Sequence, residues 1–188
     1  MGIGLLVDVS ACTGCESCVV GCKNWHGISA GEQGRIRIMD LIDGNYPSIS
    51  RWIFPVMCMQ CDYPPCVAVC RYGAGFIDEK GIVSVNTEKC VGCELCILAC
   101  PYDARYMAPS RRVALGCDFC KDRLREGYQP YCAEACPTDA LIFGDLDNPA
   151  SSISQMIGET NARPLKKNFR THPKVFYAGF SNTAILER

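Results

Sequence analysis

Sixteen cysteines fall in four groups of four, and the third, Cys90-x2-Cys93-x2-Cys96-x3-Cys100-Pro101, has the spacing by which a chain wraps a cubane iron-sulfur cluster. The chemistry such a pattern offers is one-electron transfer. Cys12, Cys15, Cys18 and Cys22 repeat the spacing without the proline, while Cys58, Cys61, Cys66, Cys70 and Cys117, Cys120, Cys132, Cys136 stretch one gap each, and no cysteine is left over. Disulfides are a poor account of thiols set so close in sequence, because cross-links that close long loops gain most. Zinc needs only two Cys-x2-Cys pairs for a tetrahedral site. A third cysteine at the same interval, then a fourth followed by proline, is what an iron-sulfur site adds to that pattern.

The elements that position these groups must be built from 188 residues, 48% of them hydrophobic, which suits a globular body. Nineteen Lys and Arg against 20 Asp and Glu give a formal net charge of -1 and no case for a nucleic-acid partner. Each four-thiolate site with its oxidised core adds about -2, so four of them bring the loaded chain to roughly -9. Backbone N–H groups and nearby cations must meet that charge, and Lys23, Arg71, Lys89 and Lys121 stand beside cysteines. Folding and metal binding are therefore expected to be coupled. The first ligand falls at residue 12, so no signal peptide is expected, and Leu6 stands where a myristoylation motif wants Ser or Thr. No run of 18 apolar residues exists, so any membrane association is expected through a partner.

Ile3 to Val9 reads as a strand leading to the first ligand loop, and Glu16 to Trp25 suits a short helix. The period-two run at 34–39 and the apolar run at 51–56 are expected to pair as a hairpin around Asp43-Gly44-Asn45. An internal repeat follows: Cys70-Arg71-Tyr72-Gly73-Ala74, Cys100-Pro101-Tyr102-Asp103-Ala104 and Cys136-Pro137-Thr138-Asp139-Ala140 share a frame, each leading into a strand, at 75–77, 105–107 and 141–143. Gly73, Asp103 and Asp139 occupy matching turn positions, where the side chain must be absent or able to bond its own backbone. Gly81 to Val85 is a further strand before Cys90. Short strands and helices alternating with ligand loops indicate an α+β fold. Beyond Gly144, Asp147 or Asn148 is expected to cap a helix with Pro149 at its first position, followed by a basic stretch, Arg163 to Lys174, and a strand-like end at 175–180. That tail either packs on its own domain or docks a larger subunit.

With these motifs in hand, the sequence resembles the four-cluster ferredoxin-like electron-transfer subunits of the dimethyl-sulfoxide reductase superfamily of molybdopterin oxidoreductases, and is most similar to the polysulfide, thiosulfate and tetrathionate reductase branch. The resemblance runs from Leu6 to the Phe-Gly-Asp-Leu-Asp-Asn-Pro stretch at 143–149. It includes the stretched group Cys58-Met59-Gln60-Cys61-Asp62-Tyr63-Pro64-Pro65-Cys66 and the eleven-residue gap between Cys120 and Cys132. It implies two interleaved bacterial-ferredoxin-like halves, residues 1–33 with 109–147 and residues 57–108, plus a β-hairpin insertion at 34–56 and a C-terminal helix and docking tail at 148–188. It implies four 4Fe-4S clusters, each taking three cysteines from one group and the last from a partner group: Cys12, Cys15, Cys18, Cys136; Cys22, Cys117, Cys120, Cys132; Cys58, Cys61, Cys66, Cys100; and Cys70, Cys90, Cys93, Cys96. Spacing alone does not choose this pairing.

The function implied is a relay between a large catalytic subunit carrying molybdenum- or tungsten-pterin and a membrane-anchored, quinone-binding subunit or another carrier, without catalysis by this chain. A freestanding polyferredoxin, the iron-sulfur subunit of a hydrogenase or formate dehydrogenase, and a zinc module are the alternatives. The location implied is the periplasmic side of the cytoplasmic membrane, by export beside a partner; the alternative is cytoplasmic. Arg71 departs from the family's proline after the second group, and the hypothesis attached to it is a raised potential for the cluster sharing Cys70, tested by potentiometry of Arg71→Pro. His26 and His172 have no second histidine or spare cysteine nearby in sequence, and Trp25, Trp52, Tyr102 and Tyr106 read as packing.

Overall fold

The computed structural model describes residues 2–108, 110–180 and 186–187. In chain order the elements are β1 Ile3–Asp8, α1 Ser17–His26, β2 Ile36–Asn45, β3 Ser48–Met57, α2 Pro65–Ala68, β4 Gly75–Ile77, β5 Val83–Val85, α3 Leu95–Leu98, β6 Arg105–Ala108, β7 Val113–Gly116, α4 Lys121–Arg125, α5 Tyr131–Glu134, β8 Leu141–Asp145, α6 Ser152–Thr160 and β9 Val175–Ala178. The fold mixes small helices and strands, as expected. Only one sheet among the described residues exceeds two strands, with order β8-β1-β9. β1 lies at its centre because Leu5, Leu6 and Val7 have no polar face to turn to water, and all three are at most 1% exposed. It pairs antiparallel with β8 and parallel with β9.

The expected hairpin forms as β2 and β3, with Ile36 opposite Met57, but its strands run on to Asn45 and Ser48, so Asp43 and Gly44 lie within the ladder. It is anchored at the cysteine-bearing body. The Arg37 guanidinium donates to the carbonyls of Asp103 and Tyr102 at 2.6 and 2.7 Å, in the turn that follows Cys100. Phe54 packs edge-on against Tyr177 of β9.

The C-terminal helix corrects one expectation. α6 starts at Ser152, and Ser151 caps it by accepting from the Ser154 N–H at 3.2 Å; Asp147, Asn148 and Pro149 precede the helix. The tail packs on its own domain: Asp62 and Tyr63 N–H groups donate to the carbonyls of His172 and Thr171 at 3.0 and 3.1 Å. Lys174, 2% exposed, reaches the Gly81 carbonyl and lies 3.5 Å from Asp62. This stretch is a strap laid over the second cysteine group. The part of the expected tail at 181–185 and 188 lies outside the described residues.

Gln60, fully buried between Cys58 and Cys61, is the main brace between ligand segments. Its amide donates to the Cys117 carbonyl at 2.7 Å and accepts from the Val83 N–H at 2.7 Å. Gln60→Leu leaves both backbone groups unpaired in the interior, at about 1–3 kcal/mol each. The expected result is a loss of roughly 2–5 kcal/mol, read as a lower denaturation midpoint of the iron-loaded chain under anaerobic conditions; an unchanged midpoint would show that water replaces the amide.

Candidate iron-sulfur centres

The repeat read from the sequence is a repeat of backbone geometry. Gly73, Asp103 and Asp139 all have positive φ, at 61°, 51° and 52°. In each the N–H donates to the carbonyl of the preceding cysteine, Cys70, Cys100 and Cys136, at 3.2, 3.2 and 3.4 Å. Asp and Gly tolerate this left-handed turn for the reasons anticipated.

The loops fall into two kinds. In the first and third groups a glycine at φ 68° or 69°, Gly14 or Gly92, and a glutamate at φ 61° or 62°, Glu16 or Glu94, bend the chain round the first three cysteines. Each glutamate carbonyl then opens a helix, α1 or α3. A side chain at Gly92 would meet the Arg112 carbonyl at 2.5 Å, which is why the tight loop takes glycine there. In the second and fourth groups the stretched gap holds a proline, Pro64 or Pro130, whose carbonyl accepts the first N–H bond of α2 or α5 at 3.0 Å. In all four groups the third cysteine, Cys18, Cys66, Cys96 or Cys132, thus stands in the first turn of a helix.

The side chains converge as follows. Cys12, Cys15, Cys18 and Cys136 line one cavity, with Ile38, Pro55 and Leu141 behind them. Cys58, Cys61, Cys66 and Cys100 line a second, closed by Pro64, Pro101 and Tyr102. Cys70, Cys90, Cys93 and Cys96 line a third, and Cys66 stands on the wall it shares with the second. Cys22, Cys117, Cys120 and Cys132 lie close enough that each feels charge on others of the set. Their positions come from α1, the segment after β7, and α5, which packs on α1 where Trp25 stacks on Tyr131 at 6.2 Å.

Eight of the sixteen cysteines are buried, including Cys22, Cys117, Cys120 and Cys132 of this last set. Burial pushes Cys18 and Cys61 up to about 11 and Cys22 and Cys58 up to about 12, and raises Cys117 and Cys132 as well. Without a metal these groups hold their protons. Ligation must displace the protons and supply the charge that stabilises the thiolates. Two cysteines are already arranged for the charged form. The Ser17 hydroxyl and N–H hold Cys15 below its ordinary range, and at Cys70 the N–H groups of Gly75, Ala74 and Tyr72 outweigh a burial that acts the other way. The Gly75 N–H lies 3.3 Å from Cys70 Sγ, and the Ala104 N–H 3.5 Å from Cys100 Sγ. Thiolate-lined cavities edged with N–H donors fit a 4Fe-4S core.

Several neighbours of these sites carry no signal in sequence. Arg35, half-buried, pairs with Asp118 at 2.8 Å, between Cys22 and Cys120. His26 brings Nε2 to 3.6 Å from Cys120 Sγ; burial and the Arg35 charge push its pKa down to about 4, leaving a neutral imidazole. Arg105 lines both the second and third cavities. The cations picked out by adjacency turn elsewhere: Lys23 donates to the Glu32 carbonyl at 2.6 Å, Lys121 lies over the Phe76 ring, and Arg71 is exposed. Tyr102 and Tyr106 are buried as expected, and the Tyr102 hydroxyl bonds Thr171 of the strap at 2.5 Å.

A body of short elements strung between cysteine-lined cavities defines an iron-sulfur protein of the ferredoxin kind. Residues 49–146 match the 4Fe-4S dicluster domain, and the chain belongs to that family. It is 41% identical to protein NrfC of Escherichia coli K12, over 94% of this chain and 80% of that one. It is 39% identical to the B subunit of polysulfide reductase of Wolinella succinogenes, over 92% of each. It is 40% identical to the thiosulfate reductase electron transfer subunit PhsB of Salmonella typhi, over 82% of this chain and 81% of that one. Among the described residues no helix is long and apolar enough to cross a membrane.

Proposed function

We propose that the chain is a four-cluster relay, with ligand sets Cys12, Cys15, Cys18, Cys136; Cys22, Cys117, Cys120, Cys132; Cys58, Cys61, Cys66, Cys100; and Cys70, Cys90, Cys93, Cys96. When bound, a 4Fe-4S core supplies reversible one-electron transfer without rearrangement of its ligands. The observation that carries the reading is the order of the sites. Cys18 and Cys22 sit one turn apart on α1, Gln60 ties the Cys58–Cys61 loop to the Cys117 carbonyl, and Cys66 walls two cavities at once. On this reading each set neighbours the next in the order given, and the two exposed cysteines, Cys15 and Cys93, fall in the first set and the last. A chain of sites open at its first and last members suits transfer between two partners. Exposed Val91, Leu95 and Leu98 near Cys93 offer apolar contact there.

On this reading the two interleaved halves, residues 1–33 with 109–147 and 57–108, meet at the β6–β7 hairpin, residues 34–56 are a hairpin insertion, and 148–188 are a C-terminal helix and docking tail. The partners are a large molybdopterin subunit with molybdenum or tungsten and a membrane-anchored, quinone-linked subunit or another carrier, by analogy with reductase subunits such as those it resembles. The chain positions and tunes the clusters and performs no catalysis of its own. We place the complex on the periplasmic side of the cytoplasmic membrane. Anaerobic purification from the native source, with iron, molybdenum, tungsten and nickel measured in whatever accompanies the chain, tests this. The expected result is about sixteen irons per chain and a large partner with molybdenum or tungsten; the same iron without a partner would leave a freestanding polyferredoxin, and nickel in the partner a hydrogenase subunit.

A further inference from the structure

The cations nearest the cysteines differ in one respect that bears on potential. Arg35 is neutralised by Asp118 at 2.8 Å. Arg105 is 4% exposed, and among the described residues no carboxylate pairs with it. Its Nε has no hydrogen-bond partner. The side chain leaves β6 opposite Gly116, where a Cβ would press on the Ala104 carbonyl at 3.1 Å and touch Arg105 Cγ at 3.6 Å. From there it lines the Cys58–Cys100 cavity, the Cys70–Cys96 cavity and a polar cavity containing Ser84 and Cys117. A buried, unpaired guanidinium is costly unless negative charge faces it, and the negative charge at hand is that of the two thiolate sets.

We infer that Arg105 is the shared counter-cation of the clusters held by Cys58, Cys61, Cys66, Cys100 and by Cys70, Cys90, Cys93, Cys96, and that it raises both their reduction potentials; this rests on the ligand sets proposed above. Reduction adds one electron to a cluster, taking the four-thiolate site from about -2 to about -3, and a fixed positive charge in a poorly screened interior favours the more negative state. One cation shared by two sites also offsets the repulsion when both are reduced. Arg71, beside Cys70 but exposed, acts through screened solvent and is the weaker influence on that cluster.

The test is an anaerobic titration of the iron-loaded chain with dithionite as electron donor, followed by electron paramagnetic resonance, for the parent, Arg105→Gln, Arg105→Lys and Arg71→Pro. The expected result for Arg105→Gln is that two of four potentials fall, each by about tenfold in the reduction equilibrium, equal to about 59 mV for one electron. Arg105→Lys, which keeps the charge, should recover most of the shift, and Arg71→Pro should move one potential by less. Four unchanged potentials, or four equal shifts, would overturn the assignment. If Arg105→Gln fails to hold iron, Ser84→Asp decides. It places a carboxylate in the polar cavity Arg105 lines while leaving Arg105 in place, and the same two potentials should fall; no change sinks the inference. Iron content, read separately, reports on the ligand sets and not on Arg105.

Discussion

Stripped of iron by a chelator under oxidising conditions, the chain is expected to lose most of its helical and hairpin signal in circular dichroism, not merely its colour. α2, α3 and α5 have four residues each and α4 five, far below the length at which a helix stands alone in water. The β4–β5 and β6–β7 pairs are two-stranded and three or four residues long. Cys18, Cys22, Cys58, Cys61, Cys117 and Cys132 sit inside the main apolar core, where each cluster would join segments far apart in sequence. Removing the metal thus removes the cross-links of a core too small to hold such elements, and apparent binding energy is folding energy in a protein of this kind. A dichroism spectrum that survives complete loss of iron would mean the cysteines pack as ordinary small apolar side chains.

The second large effect concerns the exchange of ligands between groups. Cys100→Ser is expected to damage the cluster of Cys58, Cys61 and Cys66 and to spare that of Cys90, Cys93 and Cys96, although Cys100 closes the latter run in sequence. The result is loss of about four irons, or a three-iron remnant with a resonance in the oxidised protein. Double substitution makes the pairing plain, because effects within one site do not add. Cys61→Ser with Cys100→Ser should cost no more than one cluster, leaving about twelve irons, whereas Cys90→Ser with Cys100→Ser should cost two, leaving about eight. The reverse pattern would mean that each sequence run closes on itself.

Much of the scaffold was legible because it is local. Cysteine spacing is a one-dimensional signal, and so is the demand for a left-handed turn after the last ligand, which puts Gly73, Asp103 and Asp139 at matching places. The β2–β3 hairpin declared itself by alternation. What stayed hidden is tertiary. β7, four residues with Gly116 at its end, follows no repeated frame that would mark it, yet it brings Cys117 to its place. The proposed exchange of the fourth ligand could be read from resemblance alone, since spacing says nothing about which loops lie opposite each other. The cations that stand among the cysteines stayed hidden for the same reason. Nothing in the sequence marks half-buried Arg35 or buried Arg105, and only the fold turns them inward. The start of α6 was placed too early because Asp147 and Asn148 can both cap and a proline follows them, whereas the residue that does cap is Ser151.

The strap at 171–174 and the parallel pairing of β9 with β1 also set an order of manufacture. Every cysteine is synthesised before β9, yet β1 cannot complete its sheet, nor the second group gain its cover, until residues 171–178 have emerged. At about 5–20 residues per second this leaves an interval of some seconds after Cys136 is made. During it the second cysteine group lacks its cover and β1 lacks its parallel partner, so the last stretch to be made is the one that finishes the body.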